Sequence, residues 1–213
     1  MLAWGILLLG GLILLSAWGS IPPTWVVHWN AHGQPDGWAQ RTPLGVFGPL
    51  LFGAFLVGLM QGLKPLLRTQ QSPWGHGPEA SRRLADLGAE SLDAVATAMA
   101  LSSAAIAIIL PLVPGQLGLV LGVSFLSVAL ALVRIVQRNQ QVLKELRDQG
   151  VDLKGFSGLA YSNPDDPRLW VPKLSGMGTT INFAHPMGWP VMIALVAMPL
   201  AMVGLVLFFA LRP

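Results

Sequence analysis

The chain has 213 residues, of which 53% are hydrophobic and only 11% are Asp, Glu, Lys or Arg. Soluble proteins have about 25% charged residues, so this composition predicts a protein whose solvent is largely a lipid bilayer. The formal net charge is +3, but the basic residues lie between apolar runs, a pattern typical of membrane topology that excludes a nucleic-acid-binding face. The absence of cysteine excludes disulfides, thiolate metal sites and cysteine nucleophiles.

Five apolar segments are candidates for helices that cross about 30 Å of hydrocarbon. They run from about Leu2 to Trp18, Pro43 to Leu63, Ala94 to Val113, Leu117 to Val136, and Trp189 to Leu211. A cleaved signal peptide is the alternative for the first segment. No Lys or Arg precedes its apolar core, and Trp4 and Trp18 occupy interfacial positions, which favours a retained helix.

The connections between these segments carry clear turn signals. Lys64 to Gly77 predicts a polar connection broken by Pro65, and Pro78 with Glu79 suits the first turn of the next helix. Pro114-Gly115 predicts a tight turn, so the third and fourth segments form a helical hairpin whose arms project beyond the membrane.

Residues 150–187 differ from the rest because they are polar and rich in turn residues. Leu169–Val171 and Thr179–Phe183 have strand-like composition, with a turn predicted at Ser175–Gly178. Asn163–Pro167 is a second turn signal. We therefore expect a small β-hairpin or an ordered loop here.

The predicted fold class is an all-α integral membrane protein with about five transmembrane helices and this small hairpin or loop. We divide the chain into the first two helices with an intervening His/Trp loop at 22–42 (1–63), the connection and long helical hairpin (64–149), the hairpin or loop segment (150–187) and the last helix (188–213). All Lys and Arg residues except Arg41 and Arg212 fall on one side of this topology. The positive-inside rule then predicts a cytoplasmic N-terminus, an outward 22–42 loop, a cytoplasmic 150–187 segment and an outward C-terminus.

Two motifs carry a family resemblance. Pro23–Trp38 contains His28-x-Asn30-x-x-Gly33-x-Pro35-Asp36-Gly37 and resembles the extracytoplasmic signature of the SdpI-type membrane proteins. Tyr161–Lys173, with Asn182–Pro186, is similar to a second uncharacterised domain that accompanies the first in some members.

The resemblance implies a bacterial inner-membrane protein and favours a non-enzymatic binding role, although most relatives have no assigned activity. The named member of the family gives a bacterial producer immunity to its own secreted toxin and signals to a repressor, and the family supplies no established catalytic residues. The present chain departs from that immunity protein by carrying the additional 150–187 segment.

The leading hypothesis is that the outward loop binds a secreted peptide toxin or an envelope ligand. The candidate ligand-binding residues are His28, Trp29, Asn30, His32, Asp36 and Trp38. Tryptophan is enriched among the residues that dominate binding energy. The structural alternative is a re-entrant or surface loop in which Asn30 and Asp36 bond to turn backbone and Trp25, Trp29 and Trp38 anchor the loop at the interface.

A metal-dependent membrane enzyme acting on lipid or peptide at the outer surface is the second hypothesis. His28 and His32 would share one face of a helix, and Asp36 would complete a divalent metal site. The spacing lacks the intervening Glu of a zinc hydrolase, and Gly33 and Pro35 interrupt any helix, so the leading hypothesis requires no cofactor.

The candidate cytoplasmic site docks a protein partner or relays ligand occupancy. Its residues are Tyr161, Asn163, Asp165, Asp166, Arg168 and Asn182. Asp165 and Asp166 lack the ligand spacing of a calcium loop and predict a turn. Asp93 lies where the third helix enters the bilayer and is expected to reach water, while His76 and His185 are expected to be structural.

Overall fold

The computed structural model describes residues 1–69, 72–176 and 178–210, with side chains as far as residue 202. The helices are α1 (Leu2–Ser16), α2 (Pro43–Arg68), α3 (Pro78–Leu112), α4 (Leu117–Asp148) and α5 (Gly188–Ala210), with a 3₁₀ turn at Trp18–Ser20. The strands are β1 (Thr24–Trp29), β2 (Pro35–Gln40), β3 (Phe156–Ser157), β4 (Ala160–Tyr161), β5 (Trp170–Pro172) and β6 (Thr179–Ile181). They form three two-stranded antiparallel sheets, β1–β2, β3–β4 and β5–β6.

The helix ends follow local sequence signals. Thr42 Oγ1 accepts a hydrogen bond of 3.1 Å from Gly45 N and caps α2, whose first residue is a proline. Helix α3 begins at Pro78, with Glu79 in its first turn, as predicted. At the end of α4, Gly150 has φ +80°, and paired backbone bonds from Gly150 N to Arg147 O and from Val151 N to Leu146 O close the last turn.

The connection predicted to begin at Lys64 starts later, because α2 continues through Pro65 to Arg68. Proline removes one backbone donor and was expected to break the helix. Leu67, in the following turn, is buried and lies over Gly88 of α3, where an added Cβ would be 3.5 Å from Leu67 Cδ1. Packing of this leucine therefore outweighs the local cost of the proline.

Three helices, α2, α3 and α4, are long and apolar enough to cross a membrane. Helix α1 and the described apolar part of α5, Gly188–Met202, are shorter. The predicted count of five spans is therefore not confirmed, whereas the mostly helical fold is.

Unit 1, one of two compact units, comprises Met1–Lys64 and Glu90–Arg134. Its core gathers Leu7 and Leu14 of α1, Val46 and Val57 of α2, and a run of alanines from α3. Gly53 permits the close contact between α2 and α3, because an added Cβ would lie 2.5 Å from Ser103 Oγ. Small side chains thus allow the helices to approach without a large hydrophobic driving force.

Unit 2 comprises Pro65–Ala89 and Ile135–Pro213 and has a core of its own. Buried residues from the first turns of α3 and the last turns of α4 join buried residues of the 151–187 segment. These are Ala80, Leu84, Leu87, Val142, Leu143, Leu146, Leu153, Phe156, Tyr161, Val171 and Leu174. The hairpin predicted near residues 169–183 is present as β5–β6, although Met177 of its turn lies outside the described residues. The β3–β4 hairpin was not predicted.

Candidate functional site

The loop at residues 22–42 contains a β-hairpin, which the sequence did not predict. Strands β1 and β2 pair with Trp25 opposite Ala39 and Val26 opposite Trp38, and the register shifts on either side of His28. These bulges explain why regular alternation is hard to see in the sequence. His28 and His32 were considered as neighbours on a helix face, but His28 lies in a strand and His32 in the turn that follows it.

Asn30 orders the turn of this hairpin. Its side-chain oxygen accepts hydrogen bonds from His32 N at 3.0 Å and Gln34 N at 2.9 Å. Its backbone bonds to Gln34 O and accepts from Gly33 N, and Gly33 has φ +75°, which favours glycine. Asn30 therefore has the turn-forming role of the structural alternative.

The base of the hairpin is fixed to unit 1. Trp25 is buried in the core of that unit, and Ala39 on the paired strand packs against it. Arg41 Nη1 donates a 2.9 Å hydrogen bond to Ile21 O beside the hairpin. These contacts with unit 1 therefore order the two strands. An isolated two-stranded hairpin in water is at best marginally stable.

His28 and Asp36 come together on the exposed part of the hairpin. His28 Nδ1 lies 2.5 Å from Asp36 Oδ1, and the two side chains are 70% and 42% exposed. An ionised carboxylate only accepts, so His28 Nδ1 is the donor of this bond. Gly37 makes room for this arrangement, since a Cβ there would lie 2.8 Å from His28 Cβ. Asp36 therefore bonds to a side chain, not to the turn backbone as in the structural alternative.

The remaining loop residues differ in exposure. Trp29 is half-buried, whereas Trp38 is 60% exposed and His32 is exposed in the turn. Within the described part of the chain, no three His, Cys, Asp or Glu side chains are grouped as a metal site requires. The structure brings His28 and Asp36 together, but it does not add His32 to them.

Asn182 lies at the centre of the 156–187 segment and is fully buried. Its Oδ1 accepts from Asn163 N at 3.0 Å and Ala184 N at 3.1 Å. Its Nδ2 donates to Asn163 O and Asp166 O, both at 2.9 Å. Every hydrogen-bonding position of this amide is thus used to join two chain segments, so Asn182 is part of the scaffold rather than a free binding group.

Tyr161, Asp166 and Arg168 form a polar cluster around this amide. The Tyr161 hydroxyl donates to Asp166 Oδ2 at 2.9 Å, and Arg168 bonds to both oxygens of the same carboxylate. The Arg168 guanidinium holds the pKa of Asp166 well below its usual range, and burial raises the pKa of Tyr161. Asp165 points away and pairs with Lys154 at 2.8 Å. The motif at residues 161–182 therefore divides into a structural core and the peripheral Asp165.

Acidification tests the Asp166 cluster. Because the folded-state pKa of Asp166 is lowered, its stabilising contribution is present above the unfolded-state pKa of about 3.9 and is lost as the pH falls below that value. We expect the melting temperature of the wild type to fall below about pH 4 and that of Asp166→Asn to change less over the same range. Parallel melting curves for the two proteins from neutral pH to pH 3 would contradict this role.

Trp74, in the connection between α2 and α3, is a contact residue that the sequence did not reveal. Its indole Nε1 donates to Pro172 O at 3.1 Å, and its ring contacts Phe156 and Tyr161 at centroid distances of 5.2 and 5.7 Å. Arg168 lies over the same ring, with its guanidinium carbon 5.3 Å from the centroid. A single tryptophan thus ties the connection to the motif at residues 161–168.

The two isolated histidines are structural, as predicted. His76 Nε2 lies 2.9 Å from the Asp152 carbonyl and must donate to it, and Nδ1 lies 2.9 Å from Ser72 Oγ. His185 Nδ1 accepts from Met187 N at 3.1 Å, just before α5. His76 also lines an open groove of about 480 Å³, with Trp74, Lys154 and Tyr161 among the other lining residues.

Asp93 is paired rather than simply hydrated. Its Oδ2 accepts from Lys64 Nζ at 2.7 Å and its Oδ1 from Gln61 Nε2 at 2.9 Å. The Asp93 side chain is 45% exposed. This ion pair links α2 to α3 within unit 1.

The helices and the polar segments indicate the general class of protein. Three helices suited to crossing a membrane, with polar segments ordered around them, indicate a membrane protein. A model of a domain of unknown function, DUF1648, matches residues 5–58, and a model of a family of unknown function, DUF5808, matches residues 164–189. The first match includes the β1–β2 hairpin and the second includes β5, β6 and Asn182. No curated protein and no solved structure gives a significant match.

Proposed function

We propose that the chain is an SdpI-type bacterial inner-membrane protein that binds a secreted peptide or an envelope ligand through the β1–β2 hairpin. The cytoplasmic 150–187 segment then relays ligand occupancy or docks a protein partner. The two family matches support the first part of this proposal because they fall on the regions that carry the SdpI-type resemblance.

The proposed topology has five spans, with α1 and α5 added to the three long helices. The N-terminus is cytoplasmic, the hairpin and the C-terminus face outward, and the basic connections lie in the cytoplasm. Helix length supports the projecting arms. At 1.5 Å per residue, the 35 residues of α3 and the 32 residues of α4 exceed the roughly 20 residues that the hydrocarbon requires.

The observation that carries the binding role is the exposed Trp38 on a hairpin that is already ordered. Trp38 is 60% exposed, while Trp25 and Arg41 hold the base of the hairpin and Asn30 holds its turn. A rigid aromatic anchor loses little conformational entropy on binding. The His28–Asp36 pair supplies polar contacts on the same hairpin.

Substitution of Trp38 by alanine should remove most ligand binding and leave the hairpin folded, since neither its base nor its turn depends on Trp38. Purified protein in nanodiscs is incubated with the secreted peptide fraction of the host bacterium, and retained peptides are identified and titrated by mass spectrometry. We expect binding to weaken by a factor of about 30, the loss of a residue that contributes about 2 kcal/mol.

Trp170→Ala is the matched control, because Trp170 is similarly exposed but lies on β5 in unit 2. It should retain wild-type binding. Equal retention of every peptide by the wild type and Trp38→Ala would instead identify Trp38 as an interfacial anchor and reject the binding role.

A metal-dependent enzyme is the second candidate, favoured by one observation. Asp36 bonds to Nδ1 of His28 and so orients the ring, as carboxylates do for metal-bound histidines. The described residues offer only these two side chains at that point. Elemental analysis of purified protein beside a His28→Ala variant separates the candidates: one metal per chain that the variant loses would favour the enzyme.

A further inference from the structure

The backbone of the β1–β2 hairpin has hydrogen-bonding groups that the hairpin itself does not use. At its base, Arg41 N donates to Pro23 O at 2.9 Å, so these two residues form a hydrogen-bonded pair. Opposite residues in an antiparallel ladder alternate between hydrogen-bonded and non-hydrogen-bonded pairs. The next pair, Thr24 with Gln40, is therefore non-hydrogen-bonded, and the N–H and C=O groups of both residues point away from the partner strand.

The free edge of β1 is open to another strand. Two residues further along the ladder, Val26 and Trp38 form the second non-hydrogen-bonded pair. The N–H and C=O groups of Thr24 and Val26 thus point out from β1, and no described residue outside the hairpin bonds to them. Residues 24–27 contain no charged side chain and no proline, which are features that protect strand edges from pairing.

The free edge of β2 is covered at the corresponding position. Gln40 O accepts a hydrogen bond from Thr42 N at 2.7 Å. A Cβ at Gly45 would lie 2.1 Å from the same oxygen, so the first turn of α2 lies against the β2 edge there. Of the two edges, β1 is therefore the one that can accept a further strand.

We propose that β1 binds an extended peptide as a third strand of this sheet. The inference rests on the proposed function and names the ligand class: a peptide segment in β conformation whose main chain bonds to Thr24 and Val26. Such edges gain affinity from main-chain hydrogen bonds and specificity from alternate side chains. Val26 and the exposed Trp38 lie opposite each other on one face, so apolar peptide side chains on that face extend the same surface.

Replacement of Thr24 by proline tests the added strand. Proline has no N–H to donate and its ring obstructs a neighbouring strand, whereas the bonds between β1 and β2 do not use the Thr24 N–H. Binding of the secreted peptide fraction to protein in nanodiscs is measured as for Trp38→Ala. We expect Thr24→Pro to bind about tenfold more weakly, because one peptide carbonyl is left without its donor.

Gln40→Pro is the matched control, because Gln40 is directly opposite Thr24 and its N–H also points away from the partner strand. It should retain wild-type binding. Amide exchange of the wild type, resolved to single residues, gives a second measurement that requires no substitution. Addition of the peptide fraction should slow exchange at Thr24 and Val26 and leave exchange at Gln40 unchanged.

The outcomes separate this inference from the proposed function. Loss of binding in Trp38→Ala with wild-type binding in Thr24→Pro would overturn the added strand and leave the binding role of the hairpin in place. Wild-type binding in both variants would reject both. Weaker binding confined to Gln40→Pro would place the peptide on β2, which overturns the inference. If both proline variants bind weakly, unchanged exchange at Thr24 and Val26 would overturn it, and slower exchange there would support it.

Discussion

Replacement of Asn182 by alanine is expected to destabilise the 156–187 segment by about 3–5 kcal/mol, at the upper end of single substitutions. The variant loses four hydrogen bonds, which leaves the partly buried N–H groups of Asn163 and Ala184 and the carbonyl of Asp166 without the Asn182 amide. The Asn163 carbonyl also loses this amide and keeps only its bond from Asp166 N. Hydrogen–deuterium exchange of peptides from this segment measures the loss. Exchange should accelerate there and remain unchanged in α1 and α2.

Asn139→Ala is the matched control for the loss of an asparagine amide. Among the described residues, Asn139 Nδ2 donates only to Ile135 O in its own helix, so its removal should cost less than about 1 kcal/mol. Asn182→Asp should be at least as damaging as alanine near neutral pH, because a carboxylate would face the carbonyls of Asn163 and Asp166. Wild-type exchange in Asn182→Ala would show that the amide does not hold the segment together.

This expectation changes how the second motif is understood. In the sequence, Tyr161, Asn163, Asp166 and Asn182 form a set of polar residues that suggests a binding site. In the structure, they bond chiefly to one another and to backbone, as buried polar groups must. The match to residues 164–189 thus covers part of a folding core, and Trp74, Phe156 and Tyr161 are among the contributors to that core outside the matched range. Polar composition alone could not separate these two roles.

In the β1–β2 hairpin, the sequence failed to predict the secondary structure rather than the role of the polar residues. The sequence identified a polar segment between apolar helices, and it offered a turn role for Asn30 only as the alternative to ligand binding. It did not indicate strands, because the bulges beside His28 disrupt the alternation that defines a strand pattern. It also could not distinguish Trp25, which is buried, from Trp38, which is exposed. Exposure depends on contacts with helices distant in the chain, and those contacts select Trp38 as the residue to test.

Contacts between residues distant in the chain explain the other features that the sequence did not predict. The start of α3 at Pro78 and the end of α4 before Gly150 depend on local chemistry. Such helix ends can be predicted from the residues themselves. The continuation of α2 past Pro65 depends on the burial of Leu67, and the role of Trp74 depends on residues more than 80 positions later. No local pattern encodes such pairs.

Replacement of Trp74 by alanine is expected to release the α2–α3 connection from the 156–172 region and destabilise unit 2 by about 3 kcal/mol, the lower end for a tryptophan truncation because the side chain is half-buried. The variant loses the bond to Pro172 O, both ring contacts and the position beneath Arg168. Limited trypsin digestion should cut faster at Arg68 and Arg82, which flank the connection.

Two variants isolate the cause of that loss. Trp74→Phe keeps an aromatic ring but removes the indole donor, so it should recover all but about 1 kcal/mol. Trp170→Ala removes an exposed indole from the same unit and should leave the cleavage rate at Arg68 and Arg82 unchanged. Equal cleavage of Trp74→Ala and the wild type would mean that His76, through Ser72 and Asp152, is sufficient to hold the connection. Faster cleavage confined to Trp74→Ala would instead establish the indole as the link through which the connection and the 161–168 motif stabilise each other.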